Sequence, residues 1–271
     1  MNRDRRRFVT TTATLAAAQL AGVGLANAQA RRDASAPVTG ATIDAMGAQR
    51  RGAPMFTCVR TPETNDGPYY YSSSLRRGAI AEGRSGVPLK LRISVANALR
   101  PGDACPALPD AVVDVWHADA DGMYSNVGTD LQQQNTVGQT FGRGHQVTDA
   151  TGQVEFDTVV PGWEIGRNVV RATHVHVKVF HENKVVTAQL YFPNEFLDEL
   201  YANVDPYRTH RQMTAPGTDR VVNRLRNEED AGFVADQSTP MPIRREGNVV
   251  MVEATIGITT LGSLGVAPLF R

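Results

Sequence analysis

Apolar and polar side chains alternate through six short stretches of this chain: residues 88–96 (PLKLRISVA), 111–116, 153–159, 170–180, 185–192 and 248–257. A period of two belongs to a strand with one face buried. Between the stretches stand Pro101-Gly102-Asp103, residues 119–122 and residues 149–152, whose Pro, Asp and Gly residues suit tight turns. Short strands at this spacing, with no long helices alternating between them, predict an all-β chain. The expected architecture is an antiparallel β-sandwich with few short helices, not a parallel α/β sheet. One helix is predicted over residues 194–202, with Asn194 as its cap and Glu195 in its first turn. No internal repeat appears.

The first 56 residues do not share this pattern. Arg5-Arg6-Arg7-Phe8 precedes a mildly apolar run over residues 9–25 and a small-residue site at Ala26-Asn27-Ala28. The run is too short, and too diluted by Thr10, Thr11, Thr12 and Gln19, for a membrane span. Residues 1–28 therefore read as an export signal. The arginine cluster points to the twin-arginine route, although Asp4 stands where a hydroxyl residue is usual, and a general secretory signal is the alternative. Residues 29–56 lack hydrophobic periodicity and read as a flexible leader arm, leaving 57–271 as the folded domain.

Export alters the charge. Cleavage after residue 28 takes four arginines and one aspartate from balanced totals of 28 basic and 28 acidic residues, leaving 24 and 27, a net charge of −3. Such a chain offers no basic stripe for nucleic acid and no polybasic membrane anchor. The expected location is periplasmic or secreted. In an oxidising compartment the two cysteines, Cys58 and Cys105, are expected to pair, contributing up to about 4 kcal/mol by restricting the unfolded chain.

Within the fourth alternating stretch, His174-Val175-His176 sets two imidazoles on one face of a stiff, Val-rich strand. Neighbouring same-face imidazoles can share one metal ion. They can equally be two half-exposed strand histidines, and the triplet alone does not decide between these.

Six further motifs supply a context: TPETNDGPYY over 61–70, VDVWHAD over 113–119 with GMYS over 122–125, VTD over 147–149, PGW over 161–163, RATHVH over 171–176 and QLYFP over 189–193. In this order they resemble the intradiol ring-cleavage dioxygenases, over roughly residues 58–207, and in particular the exported, single-chain relatives of the protocatechuate and catechol enzymes. The resemblance implies a β-sandwich holding a non-haem ferric ion, Fe(III), between two tyrosinates and two histidines. It also implies a catechol-type aromatic and O2 as substrates, a muconate-type product, and a homo-oligomer as one possible assembly. Carried over by motif, Tyr124, His174 and His176 are metal ligands. Phenolate oxygens are hard donors that suit ferric iron and a chelating catecholate.

One ligand departs from the pattern. Where the family reads PGWY, this chain has Trp163 followed by Glu164, and about four extra residues precede Arg171. Glu164 could ligate ferric iron in place of the second tyrosinate. It could instead complete a two-His-one-carboxylate set suited to Fe(II). In a third reading catalysis is lost and the fold binds aromatic or polysaccharide ligands. By the same resemblance Arg171 would stabilise negative charge on the substrate, Gln189 would lie near it, and Pro68, Tyr69 and Trp163 would form the substrate pocket. His117 falls in a shared motif without being a ligand and reads as structural. His145 is either a polar group at the pocket mouth or simply exposed.

Overall fold

In the computed structural model, residues 60–98, 105–166 and 169–260 are described, all within one unit spanning 52–271. The expected export signal, leader arm and Cys58 lie outside the described residues. Cys105 is buried beside Ala96.

Five of the six alternating stretches each form one strand, and the stretch 170–180 is divided into two. The first sheet contains β1 (Pro88–Asn97), β4 (Gln153–Val159), β11 (Ile243–Glu246) and β12 (Val249–Ile258), in the order β11-β12-β1-β4. The second contains β2 (Val112–Trp116), β3 (Arg143–Val147), β7 (His174–His181) and β8 (Lys184–Tyr191), in the order β3-β2-β7-β8. Two-stranded ribbons are made by β5 (Glu164–Ile165) with β6 (Val170–Arg171), and by β9 (Gln212–Thr214) with β10 (Val221–Asn223). The sandwich is antiparallel with one exception. β1 and β12 run parallel, Leu89 opposite Val250 and Val95 opposite Ile256, a pairing that alternation cannot foretell.

Register decides which residues share a face. Leu91 lies between Val252 and Phe156, while Val177 lies between Val115 and Ala188. These apolar faces meet in one buried cluster, where each fully buried Val or Leu contributes about 1.5–3 kcal/mol. A step of one residue along β7 turns to the other face, so His174, His176 and Lys178 point away from this core.

The expected helix forms as α1 (Asn194–Asn203), with Glu195 in its first turn. Asn194 does not cap it. The cap position is Pro193, and the Asn194 side chain instead accepts from the Asn227 amide at 3.1 Å and donates to Glu228 at 2.7 Å. A second helix, α2 (Ala231–Ala235), is capped by Asp230, whose carboxylate accepts the Gly232 and Phe233 amides. No helix among the described residues is long and apolar enough to cross a membrane.

Candidate metal centre

The outward face of the second sheet is built from aligned rows. Trp116 stands opposite both Arg143 and His176, His176 opposite Gln189, and His174 opposite Tyr191. Over this face runs a cover, residues 66–71. Asp66 bonds Lys178 at 2.5 Å and Thr187 at 2.6 Å. Tyr69 stacks on Tyr124 with centroids 4.5 Å apart, Tyr70 leans on Trp116 at 4.6 Å, and Tyr71 lies against the Arg143 guanidinium. Gly67 sits at φ 69°, where a Cβ would come within 3.5 Å of the His176 ring.

Both strand histidines are buried, at 2 % exposure each. The Nδ1 of His174 lies 2.7 Å from the Ala172 carbonyl, which can only accept, so that nitrogen carries the proton. Burial pushes the His174 pKa down to about 4, with Arg171 adding to the fall, and holds His176 well below its usual value. A neutral His174 with Nδ1 protonated presents its Nε2 lone pair, and the two Nε2 atoms stand 2.9 Å apart. Two imidazole nitrogens bound about 2.1 Å from one metal ion, at roughly a right angle, lie about 3 Å apart. The Nδ1 of His176 is buried without a partner, and its ring is fixed by stacking on Trp116 at 4.6 Å and 6°.

Tyr124 reaches this pair from a turn held by Asp119. The Asp119 carboxylate accepts the Asp121 and Met123 amides, and its carbonyl accepts those of Gly122 and Gly162. A Cβ on Gly122 would run into the Trp163 carbonyl, so the close approach of these two segments requires glycine. Gln132 clamps Tyr124 through both its backbone amide and its carbonyl. The Tyr124 ring, 1 % exposed, lies 6.4 Å from that of His176. Its hydroxyl is held far above its ordinary pKa by burial and by Glu164.

Glu164 is buried at 4 % exposure, on the ribbon opposite Arg171. Burial pushes its carboxyl up to about 7, while the Arg171 charge and a hydrogen bond from Tyr124 act the other way. Among the described residues no three His, Cys, Asp or Glu side chains are grouped so that they could hold a metal ion. The donors brought together are His174, His176 and Tyr124, with the charge of Glu164 acting on the tyrosine. A neutral imidazole locked by a backbone carbonyl, with a second imidazole nitrogen 2.9 Å from its free Nε2, suits a metal ion.

Arg171 is not a surface ion pair. Its Nε donates to both Asp230 oxygens, at 2.9 and 3.2 Å, and its Nη2 donates to Gln189 at 2.5 Å and to the Tyr191 hydroxyl at 2.8 Å. Gln189 also borders an open groove of about 750 Å³ shared with Glu63, Asp236 and Ser238. Pro68 is exposed at the turn of the cover. Trp163 lies wholly within the main core and donates its indole N–H to the His210 carbonyl. His117 is structural, its Nδ1 donating to the Ala118 carbonyl and its Nε2 accepting from Thr158. His145 is half-buried on β3.

Sequence reasoning missed Asp230, Gln132, Arg143 and Tyr191. Asp before Ala-Gly-Phe is a readable helix cap, but its second role, toward Arg171 59 positions earlier, leaves no local signal.

Known proteins resemble this chain in sequence and fold. A family model described as dioxygenase matches residues 65–241. The chain is 31 % identical over 118 residues to the protocatechuate 3,4-dioxygenase beta chain of Burkholderia cepacia, covering 41 % of this chain and 49 % of that protein. It is 31 % identical over 144 residues to the chlorocatechol 1,2-dioxygenase of Pseudomonas sp. (strain P51), covering 46 % and 53 %. It thus spans about half the length of these curated relatives. An intradiol ring-cleavage dioxygenase from Tetranychus urticae shares the fold, with TM-score 0.61 and 24 % identity over 75 % of this chain and 96 % of that one. The dioxygenase domain of a carbohydrate-binding fusion protein from Streptomyces sp. SirexAA-E aligns with TM-score 0.51 and 27 % identity, over 74 % and 99 %. The chain belongs to the intradiol ring-cleavage dioxygenase family.

Proposed function

We propose that this protein is an exported, non-haem iron dioxygenase that opens a catechol-type ring between its two hydroxyl-bearing carbons, with both atoms of O2 entering a muconate-type product. The carrying observation is the histidine pair, with Nε2 atoms 2.9 Å apart and His174 locked by the Ala172 carbonyl. His174, His176 and Tyr124 would hold the iron. Ferric iron bound there would make a chelated aromatic diol reactive toward O2.

The chain's own residues do the rest. Trp116, stacked on the His176 ring, fixes its plane. Tyr69 and Tyr124, stacked, exclude water from the tyrosine ligand. Glu164 takes the position of the second tyrosinate. A carboxylate there would supply the negative charge that the missing phenolate does not. Arg171 presents a fixed guanidinium for negative charge developing on the substrate.

Metal analysis followed by anaerobic titration with a panel of catechols, then O2 and product identification, tests this reading. About one iron per chain and a ring-opened diacid are expected. A folded native protein without iron would overturn it and favour a binding role on the same sandwich.

A further inference from the structure

We propose that Asp230 is the positioning residue for Arg171, so that the turn entering α2 belongs to the catalytic apparatus. The inference rests on the ring-cleavage reading for what Arg171 does, but its geometry stands alone. The Asp230 side chain is wholly buried and closes three separate gaps at once. Its two oxygens take the Arg171 Nε–H, its Oδ2 takes the Ala172 amide at 2.6 Å, and its Oδ1 takes the Gly232 and Phe233 amides that open α2.

Those contacts leave the guanidinium little freedom. With Nε held by Asp230, Nη2 is directed to Gln189 and Tyr191, whose hydroxyl also donates to Gln189 at 2.6 Å. Phe233 packs edge-on against the Tyr191 ring at 5.0 Å, tying the same turn to the same network a second time. A third tie is Gly232, where a Cβ would collide with the Arg171 Nη2. The bond from Ala172 places Asp230 two residues from His174, whose Nδ1 uses the carbonyl of that same Ala172. A half-buried arginine held through Nε is an oriented charge rather than a mobile one, which is what stabilising a developing charge requires.

Asp230→Asn separates positioning from mere capping, because Asn caps a helix as well as Asp and has nearly its volume. Expected is a fall in kcat of about tenfold or more, with KM changed less than about threefold and iron content unchanged. In an Arg171→Ala background the same substitution should cost nothing further. A kcat within about twofold of wild type, or losses that multiply in the double variant, overturns the proposal. Gly232→Ala is a second variant: its Cβ would displace the Arg171 Nη2, so a reduced kcat with unchanged iron content is expected, whereas unchanged kcat counts against the clamp.

If Asp230→Asn does not fold, the wild-type protein still decides. Its Arg171 Nε–H, identified in nitrogen-15 spectra by its loss in Arg171→Lys, should exchange slowly with water, and rapid exchange overturns the clamp. An iron-loaded wild-type protein that opens no catechol defeats the ring-cleavage reading, while the exchange measurement still reports on Asp230.

Discussion

The two sheets turn very different outer faces to their surroundings, although their strands alternate in the same way. On the first sheet the outward residues are charged and form a ladder. Lys90 pairs with Glu155 and Asp157, Arg92 with Glu155 and Glu253, and Arg244 with Glu253. On the second sheet the corresponding positions carry Trp116, His174, His176, Gln189 and Arg143, all buried. What separates them is the cover at 66–71, which seals one face and has no counterpart among the described residues over the other. Alternation reports that a strand has two sides. It does not report whether the polar side meets water.

The largest contrast should come from one substitution on the covered face. If His176 is a ligand, as proposed, His176→Ala is expected to remove most of the iron and to lower catechol turnover on the order of a thousandfold. Metal content and steady-state rates measure it, and retention of both would show that the pair is not a ligand set.

Much of this contrast was legible beforehand. Strands β1, β4 and β8 and helix α1 lie within a residue or two of the alternating and periodic stretches, because each buries a face against the same core. Residues 170–180, read as one strand, are broken at Ala172 and Thr173. The cause is chemical: the Ala172 amide goes to Asp230 and its carbonyl to His174, which takes both groups out of the ladder. Strand β3, reading RGHQV, carries Gly144 where the sandwich demands closeness, since a Cβ there would meet Ile80 and the Arg77 carbonyl. Its pattern is therefore not apolar enough to read. Tyr124, His174 and His176 were visible through motif order. Asp230 was not, since long-range hydrogen bonds leave no spacing to count.

Second in size is a pH effect beneath the cover. Asp114 is buried on β2, accepts from the Tyr70 hydroxyl at 3.3 Å, and faces His145 on β3 and Lys178 on β7. Burial pushes its pKa up to about 6, with the Tyr70 bond and the charges of His145, Arg143 and Lys178 acting the other way. A carboxyl raised in the folded state holds its proton longer there than in the unfolded chain. Its contribution is thus present in full below about pH 4 and is lost as pH rises to about 6. Thermal unfolding of wild type and Asp114→Asn across that range should show wild type losing on the order of 2 kcal/mol relative to the variant. A pH-independent difference would mean that water reaches Asp114 and the cover is open.

Third, Gly67→Ala should destabilise the cover by about 1 kcal/mol, since its φ of 69° disfavours an L side chain. The added methyl would stand in ordinary contact with the His176 ring, at 3.5 Å. Chemical denaturation and iron affinity measure it. A stabilised protein would show that this turn adopts another conformation in solution.

The smallest effect belongs to the open face. Arg92 is 40 % exposed and pairs with Glu155 at 2.9 Å and Glu253 at 3.3 Å, yet neither partner depends on it. Glu155 keeps Lys90 at 2.6 Å, and Glu253 keeps Arg244 at 2.9 Å. Removing one cation from a redundant, solvated ladder leaves no buried charge behind, and exposed pairs contribute only about 0.2–1 kcal/mol. Arg92→Ala is therefore expected to change stability by less than about 0.5 kcal/mol, and that difference should shrink further in about 0.5 M salt as screening shortens the reach of each charge. Denaturant unfolding at two salt concentrations measures it. A salt-insensitive loss above about 2 kcal/mol would mean that this ladder is shielded from water in the native protein, which a homo-oligomer packed through the first sheet would do, and the contrast between the two faces would then collapse.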